Sequence, residues 1–134
     1  MKRIHNMDDT VLIKTVNDVI NGLKFTEVGL IPAIAQQFDS HEVLMLAWMN
    51  QDSINLTLRK KQVHYWSRSR NAIWRKGETS GHTQKLIELR IDCDSDSILL
   101  LVDQTGPACH TNRRTCFFKS FSNNGLKNFL EPLD

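Results

Sequence analysis

All three cysteines of the chain lie in one stretch, interleaved with carboxylates: Asp92-Cys93-Asp94-Ser95-Asp96, then Cys109-His110, then Cys116. No other segment constrains the fold as strongly. Carboxylates this close repel one another, and they are costly to bury unless a positive group neutralises them. Thiolates are soft ligands that suit zinc. Clustered carboxylate oxygens suit a hard cation such as magnesium. The segment therefore has the composition of two metal centres, and the rest of the chain reads as their scaffold and substrate cradle. The competing view is three inert buried thiols.

The cysteine count is odd, which argues against a secreted disulfide framework. The start, Met1 to Asp9, has basic residues but no apolar core or cleavage site, so it is not a secretory signal. No apolar run approaches the roughly 20 residues that span a bilayer. The expected compartment is the cytoplasm. With 134 residues and 40% apolar content, the chain can fold as a single domain over 1–134.

Apolar periodicity predicts a helix over 9–22, capped by Asp9 or Thr10 and ended by Gly22. Strands are predicted over 31–38 and 43–49, around a turn near Asp39-Ser40-His41. The run Val43 to Met49 is almost wholly apolar and reads as a central strand covered on both faces. A short helix follows from Asp52 or Ser53 to about Lys61. Two short strands, 63–67 and 72–75, flank a polar turn. Residues 86–93 alternate, with Glu88, Arg90 and Asp92 opposite Lys85, Ile87, Leu89, Ile91 and Cys93; Leu86 fits badly. Ile98 to Val102 reads as a buried strand, Gly106-Pro107 as a turn, and Cys116 to Phe121 as a last strand. The fold class is α+β, a compact domain rich in antiparallel strands with a few short helices, its catalytic core over 31–121.

Charge is uneven. Residues 59–90 carry nine Lys or Arg against Glu78 and Glu88, while residues 92–103 carry four Asp and no basic residue. A basic region beside an acidic, metal-like segment suits an anionic substrate such as a phosphate ester.

Cys93, Cys109 and Cys116 would leave a fourth zinc position open, the arrangement of a catalytic site, where bound water becomes acidic enough to act as a nucleophile. His110 could instead fill that position and close the site, or shuttle protons beside it. On an extended strand Asp92, Asp94 and Asp96 would face one way and Cys93 the other. Trp66-Ser67-Arg68-Ser69-Arg70 offers bidentate guanidinium and hydroxyl donors to phosphate. Tyr65, Trp66 and Trp74 could stack on a base, so single-stranded nucleic acid is a competing ligand for this region. In Lys76-Gly77-Glu78-Thr79-Ser80-Gly81-His82, Lys76, Thr79 and Ser80 can reach a phosphate, and Glu78 or His82 can move a proton.

Five blocks stand in one order: Leu46-Ala47-Trp48-Met49-Asn50, Tyr65 to Arg70, Trp74 to His82, Asp92 to Asp96, and Ala108-Cys109-His110-Thr111 with Cys116-Phe117. In that order, from about Ile31 to Phe118, the chain resembles phosphoribosyl-AMP cyclohydrolase of histidine biosynthesis. The resemblance implies an intertwined homodimer with one Zn2+ per subunit, bound by Cys109 and Cys116 of one subunit and Cys93 of the other. It implies a Mg2+ site at Asp92, Asp94 and Asp96. It also implies a substrate cradle of Trp66, Ser67, Arg68, Ser69, Arg70, Trp74, Lys76, Gly77, Thr79 and Ser80, with His110 and then His82 as the proton-handling residues. The implied reaction opens the six-membered ring of phosphoribosyl-AMP at N1–C6, with no nucleic-acid or membrane partner. One departure is visible: Asn112 stands where the family pattern expects Gly. The length leaves no room for the pyrophosphohydrolase domain of bifunctional relatives, so the monofunctional form is expected.

Overall fold

The computed structural model describes residues 7–134; the basic start read above, at residues 1–6, lies outside the described residues. The elements run α1 (Asp9–Gly22), β1 (Ile31–Gln37), β2 (Val43–Met49), α2 (Gln51–Lys60), β3 (His64–Ser67), β4 (Ala72–Arg75), β5 (Gln84–Ile91), β6 (Ile98–Gln104), β7 (Lys119–Ser122) and β8 (Gly125–Asn128). This is the expected α+β class, with mostly antiparallel pairs. The exception is β1 with β6, which run parallel. That pairing is possible because the long intervening chain can carry β6 back to the start of β1.

Helix α1 spans the predicted residues, but its cap is Asp8 rather than Asp9 or Thr10. Asp8 is extended and accepts the Val11 N–H at 2.9 Å, whereas Asp9 already belongs to the helix. Helix α2 begins one residue early because Asn50 and Ser53 satisfy each other's backbone N–H groups in a capping box. Val16 and Ile20 of α1 and Ile54 and Leu58 of α2 bury their side chains in one cluster with the sheet. Each such burial contributes roughly 1.5–3 kcal/mol.

The main sheet has the order β4-β3-β2-β1-β6-β5. It curls until β5 meets the segment leading into β3: Val63 N–H donates to Gln84 O at 3.0 Å and Leu86 N–H to Lys61 O at 2.9 Å. This bridge, with Gln62 opposite Lys85, covers the start of β5, which would otherwise be an open strand edge. The enclosed face carries Ile31, Ala33, Ala35, Met45, Met49, Tyr65, Leu86, Leu100 and Val102.

Two expectations about strand faces need correction. In β5 the register shifts between Leu86 and Glu88, leaving Ile87 as the extra residue of a bulge. A bulge moves all later side chains to the opposite face. Leu86 therefore shares the core face with Leu89, and the poor fit of Leu86 to a simple alternation is explained. In β2, Val43 and Leu46 are 44% and 49% exposed, so the strand is central in the sheet but covered on one face only. Leu99, Ile34 and Leu46 are register partners across β6, β1 and β2 on the uncovered face. Helices cover only the other face.

The last strand also begins later than predicted. Cys116 N–H donates to Leu44 O and the Thr115 hydroxyl to Val43 O, which ties this stretch to β2 instead of extending it as a strand. Lys119–Ser122 then pairs with Gly125–Asn128, a strand absent from the sequence reading. Its signal was the Asn123-Asn124-Gly125 turn, where Gly125 takes φ 84°.

A chain of amides crosses the interior. The Tyr65 hydroxyl donates to Gln84 Oε1 at 2.7 Å, and Gln84 Nε2 donates to Gln104 Oε1 at 2.8 Å. Gln104 Nε2 in turn reaches His82 O at 3.2 Å. Burial pushes the Tyr65 phenol well above its usual pKa, so it remains a donor. Tyr65→Phe removes that donor and strands a buried amide oxygen. It is expected to cost about 1–3 kcal/mol, read as a lowered urea midpoint with an unchanged slope.

Candidate metal centre

The Cys109 and Cys116 thiols are brought together by a tight reversal. Ala108 N–H donates to Arg114 O, Cys109 N–H to Arg113 O and Asn112 N–H to Cys109 O, all at 3.0–3.1 Å. The Thr111 hydroxyl donates to Cys109 Sγ at 3.0 Å. Crowding around the Cys116 sulfur pushes that thiol up to about 11, and the neighbouring Cys109 adds to the rise. Burial opposes ionisation of Cys109 too, but the Thr111 hydroxyl and N–H, the Cys116 thiol and the Arg113 charge outweigh it and bring Cys109 below the usual thiol range. The two sulfurs are driven in opposite directions, Cys109 toward the thiolate and Cys116 toward the thiol. A bound cation would favour the ionised form of both.

Cys93 does not join them within one chain. Among the described residues, Asp92, Asp94 and Asp96 form the only group of three His, Cys, Asp or Glu ligand atoms lying within 4.8 Å of one another. Cys93 sits in the exposed turn before β6, while Cys109 follows its far end. Strand β6 alone covers about 20 Å at its usual rise per residue.

The three aspartates converge, but in a turn rather than on an extended strand. Strand β5 stops at Ile91, and Ser95 takes φ 64°. Asp92 Oδ1 accepts the N–H groups of Asp96 and Ser97 at 2.9 and 3.2 Å. Desolvation works against the Asp92 charge. Hydrogen bonds from Ser97, Asp94 and Asp96 outweigh it and hold this carboxyl at about 2. Asp96 is pushed up to about 6 by hydrogen bonding to Asp94 and Asp92, then by desolvation and their repulsion. All three are exposed, so a hydrated cation can reach them.

The loop after β4 lies beside the cysteine reversal. Lys76 Nζ donates to Ala108 O at 2.5 Å. Gly77 has φ 83°, and a Cβ there would stand 2.6 Å from the His82 carbonyl carbon and the Thr83 nitrogen. A Cβ on Gly106 would stand 2.8 Å from His82 Cδ2. His82 is thus held between two glycines, with its carbonyl on Gln104. His110 is exposed, and Thr79 and Ser80 are exposed in the loop. The roles of Gly106, Thr111 and Gln104 escaped the sequence reading. Only the adjacency of Thr111 to the Cys-His pair hinted at one.

The other predicted substrate block lies in a separate cleft. Trp66, Arg68 and Asn71 line a cavity of about 750 Å³ with Phe25, Val28 to Leu30 and the Asn50–Asp52 start of α2; none of the cysteines lines it. Ser67, Ser69 and Arg70 form the β3–β4 turn, where Ser67 Oγ accepts the Arg70 N–H at 3.2 Å. The Arg68 guanidinium lies 4.9 Å from the Trp48 ring centroid. Tyr65 is fully buried and cannot stack on a base as read from sequence. Trp74 packs against it, with ring centroids 5.2 Å apart.

A family model described as phosphoribosyl-AMP cyclohydrolase matches residues 45–118. A phosphoribosyl-AMP cyclohydrolase of Acidiphilium cryptum is 60% identical over 109 residues, covering 81% of this chain and 94% of that protein. One from a Ruegeria species is 48% identical over 133 residues, 99% of each chain. One from Paracoccus denitrificans is 66% identical over 96 residues, 72% of this chain and 79% of that protein. The chain belongs to the phosphoribosyl-AMP cyclohydrolase family. It is an enzyme of that class, a hydrolase that opens a ring.

Asn112, the departure from the family pattern, takes φ 64°, which accounts for the expected Gly. Its side-chain amide donates to Leu133 O, and its carbonyl accepts the Leu133 N–H at 2.7 Å. Arg113 Nε donates to Leu130 O at 2.7 Å, so the C-terminal segment straps this loop. Asn112→Ala is expected to destabilise the fold by about 1 kcal/mol more than Asn112→Gly, because only alanine adds left-handed strain. Denaturant titration of the pair measures the difference.

The carboxylate turn gives a pH signature. Asp96 titrates near 6 when folded, against roughly 4 in an unfolded chain. The folded state takes up this proton first, so the turn adds stability as pH falls from about 6 to about 4. Carbonyl carbon-13 shifts should show the titration, and Asp96→Asn should abolish this part of the stability profile.

Proposed function

We propose that this enzyme catalyses zinc-dependent hydrolytic opening of the adenine ring of phosphoribosyl-AMP at N1–C6. The product is the phosphoribosylformimino-aminoimidazole carboxamide ribotide intermediate of histidine biosynthesis. The working unit is a homodimer in which Cys109 and Cys116 of one chain and Cys93 of the other hold each zinc. The observation that carries this reading is the reversal that turns the chain between Cys109 and Cys116, with the third cysteine held apart along the chain.

The donor set fits zinc: soft sulfurs, one of them already drawn below the usual thiol range, with a hydroxyl partner on Cys109. When bound, zinc activates water for addition to the electron-poor C6 carbon. His110, exposed beside Cys109, moves the proton to and from the reacting nitrogen. His82, fixed by Gly77 and Gly106, is the second proton carrier. Asp92, Asp94 and Asp96 fit a hydrated Mg2+ that orients phosphate oxygens. Trp66, Ser67, Arg68, Ser69 and Arg70 with Trp74, Gly77, Thr79 and Ser80 form the cradle, split between two parts of each chain. Burial of Tyr65 favours a small nucleotide over a stacked nucleic-acid strand as ligand. No helix among the described residues is long and apolar enough to cross a membrane; the cytoplasm is the proposed compartment.

The uncovered sheet face supports a second copy as partner. Ile34, Val43, Leu46 and Phe117 are 37–52% exposed there and near the cysteine loop. A two-fold pair buries the same patch on both chains and can bring the Cys93 end of one to the Cys116 end of the other.

Complementation tests the shared site. Cys93→Ser and Cys109→Ser should each be inactive alone. Refolded together at equal amounts, random pairing leaves one intact site in each mixed dimer, about a quarter of wild-type sites. Recovered, zinc-dependent turnover near that level is the expected result. Absence of recovery from a folded mixture shown by mass spectrometry to contain mixed dimers would defeat the shared arrangement.

A further inference from the structure

Lys76, expected in the substrate cradle, reaches the cysteine loop in the fold. Lys76 follows β4, and its N–H donates to Val63 O, so its backbone is fixed to the seam that closes the sheet. Its stem crosses the Trp74 ring, with Nζ 5.6 Å from the ring centroid. The ammonium ends on Ala108 O at 2.5 Å, the carbonyl immediately before Cys109. The side chain is half-buried, and its charge is felt by Cys116 and by Cys109. Burial disfavours that charge, while both sulfurs favour it.

We propose that Lys76 is a positioning residue for the cysteine metal centre: it tethers the Cys109 loop through Ala108 and neutralises the charge left when sulfurs replace water around zinc. This rests on the zinc reading above. Three thiolates on a divalent cation leave one net negative charge. That excess charge repels the phosphates of the substrate and weakens the cation as a Lewis acid. A single ammonium held on the carbonyl that precedes Cys109 brings the assembly to neutrality. Groups that orient and polarise metal ligands in this way typically change metal affinity by about 10- to 100-fold when removed. Arg113 also bears on Cys109, but its guanidinium is held over the Phe118 ring at 4.0 Å and bonded to Leu130 O.

Three substitutions separate tether, charge and substrate contact. Lys76→Gln keeps a polar amide on a shorter stem and removes the charge. Lys76→Met removes both. Lys76→Arg keeps the charge. Zinc affinity is measured by competition with a chromophoric chelator on the folded dimer, and KM for phosphoribosyl-AMP is measured separately at saturating zinc. The expected order of zinc affinity is wild type, then Lys76→Arg, then Lys76→Gln, then Lys76→Met, the last at least about tenfold weaker than wild type. KM at saturating zinc should move less than threefold or so on the same scale of effects. Unchanged zinc affinity with a KM raised tenfold or so would return Lys76 to the substrate cradle and overturn the assignment. A wild-type dimer that binds no zinc at these cysteines would defeat the underlying zinc reading instead, and the wild-type stoichiometry reports that separately. Lys76→Arg and Lys76→Gln keep a polar group at the half-buried position, so the comparison stands even if Lys76→Met does not fold.

Discussion

Closure of the curled sheet is the constraint on which the rest of the molecule depends. Val63 sits at the seam, donating to Gln84 O, while its own carbonyl accepts the Lys76 N–H. One residue thereby joins the end of β4 to the beginning of β5. From the same seam, Thr105 N–H donates to Thr83 O and Gln104 Nε2 reaches His82 O. The loop carrying Lys76 and His82 is in this way laid against the loop carrying Gly106, Cys109 and Cys116. Neither loop has regular structure of its own to hold it. Their mutual position is set by backbone hydrogen bonds, and these are strong where water is excluded.

The interior trades some apolar packing for direction. Tyr65, Gln84, Gln104 and Gln37 form a satisfied polar chain in an otherwise aliphatic core. Such a chain tolerates little change of register, because any slip leaves a buried amide without a partner. The outer face of the sheet makes the opposite choice. Its apolar ladder from Leu99 through Ile34 to Leu46 has no cover within the described chain. A surface of that kind is usually a contact surface, in keeping with the proposed pairing of two copies.

Most element positions were legible from the pattern of residues alone. Helix α1, strands β1 and β2 and the short pair β3–β4 appear where periodicity and turn residues place them, because these signals are local. The Ile87 bulge was not legible, although Leu86 out of phase was its trace. Register depends on which strand lies alongside, and that is a tertiary fact. The one-sided cover of β2 was missed for the same reason. An apolar run looks alike whether it faces a helix or an open surface. The Asp92–Asp96 cluster was found by composition, but the turn that gathers it required Ser95 to adopt a left-handed backbone.

The sequence by itself determined the chemistry: which residue types could hold a cation, their order along the chain, and the family they belong to. Side-chain identity settles donor atoms without reference to shape. Only the tertiary structure decided which donors meet. It set Cys109 beside Cys116, moved Tyr65 from a possible stacking surface into the core, and aimed Lys76 at the cysteine loop. It also left Cys93 beyond reach of the other two sulfurs in the same chain. The physical reason is that proximity across a closed sheet is set by hydrogen-bond register and by the length of β6, neither of which is written in any local stretch of residues.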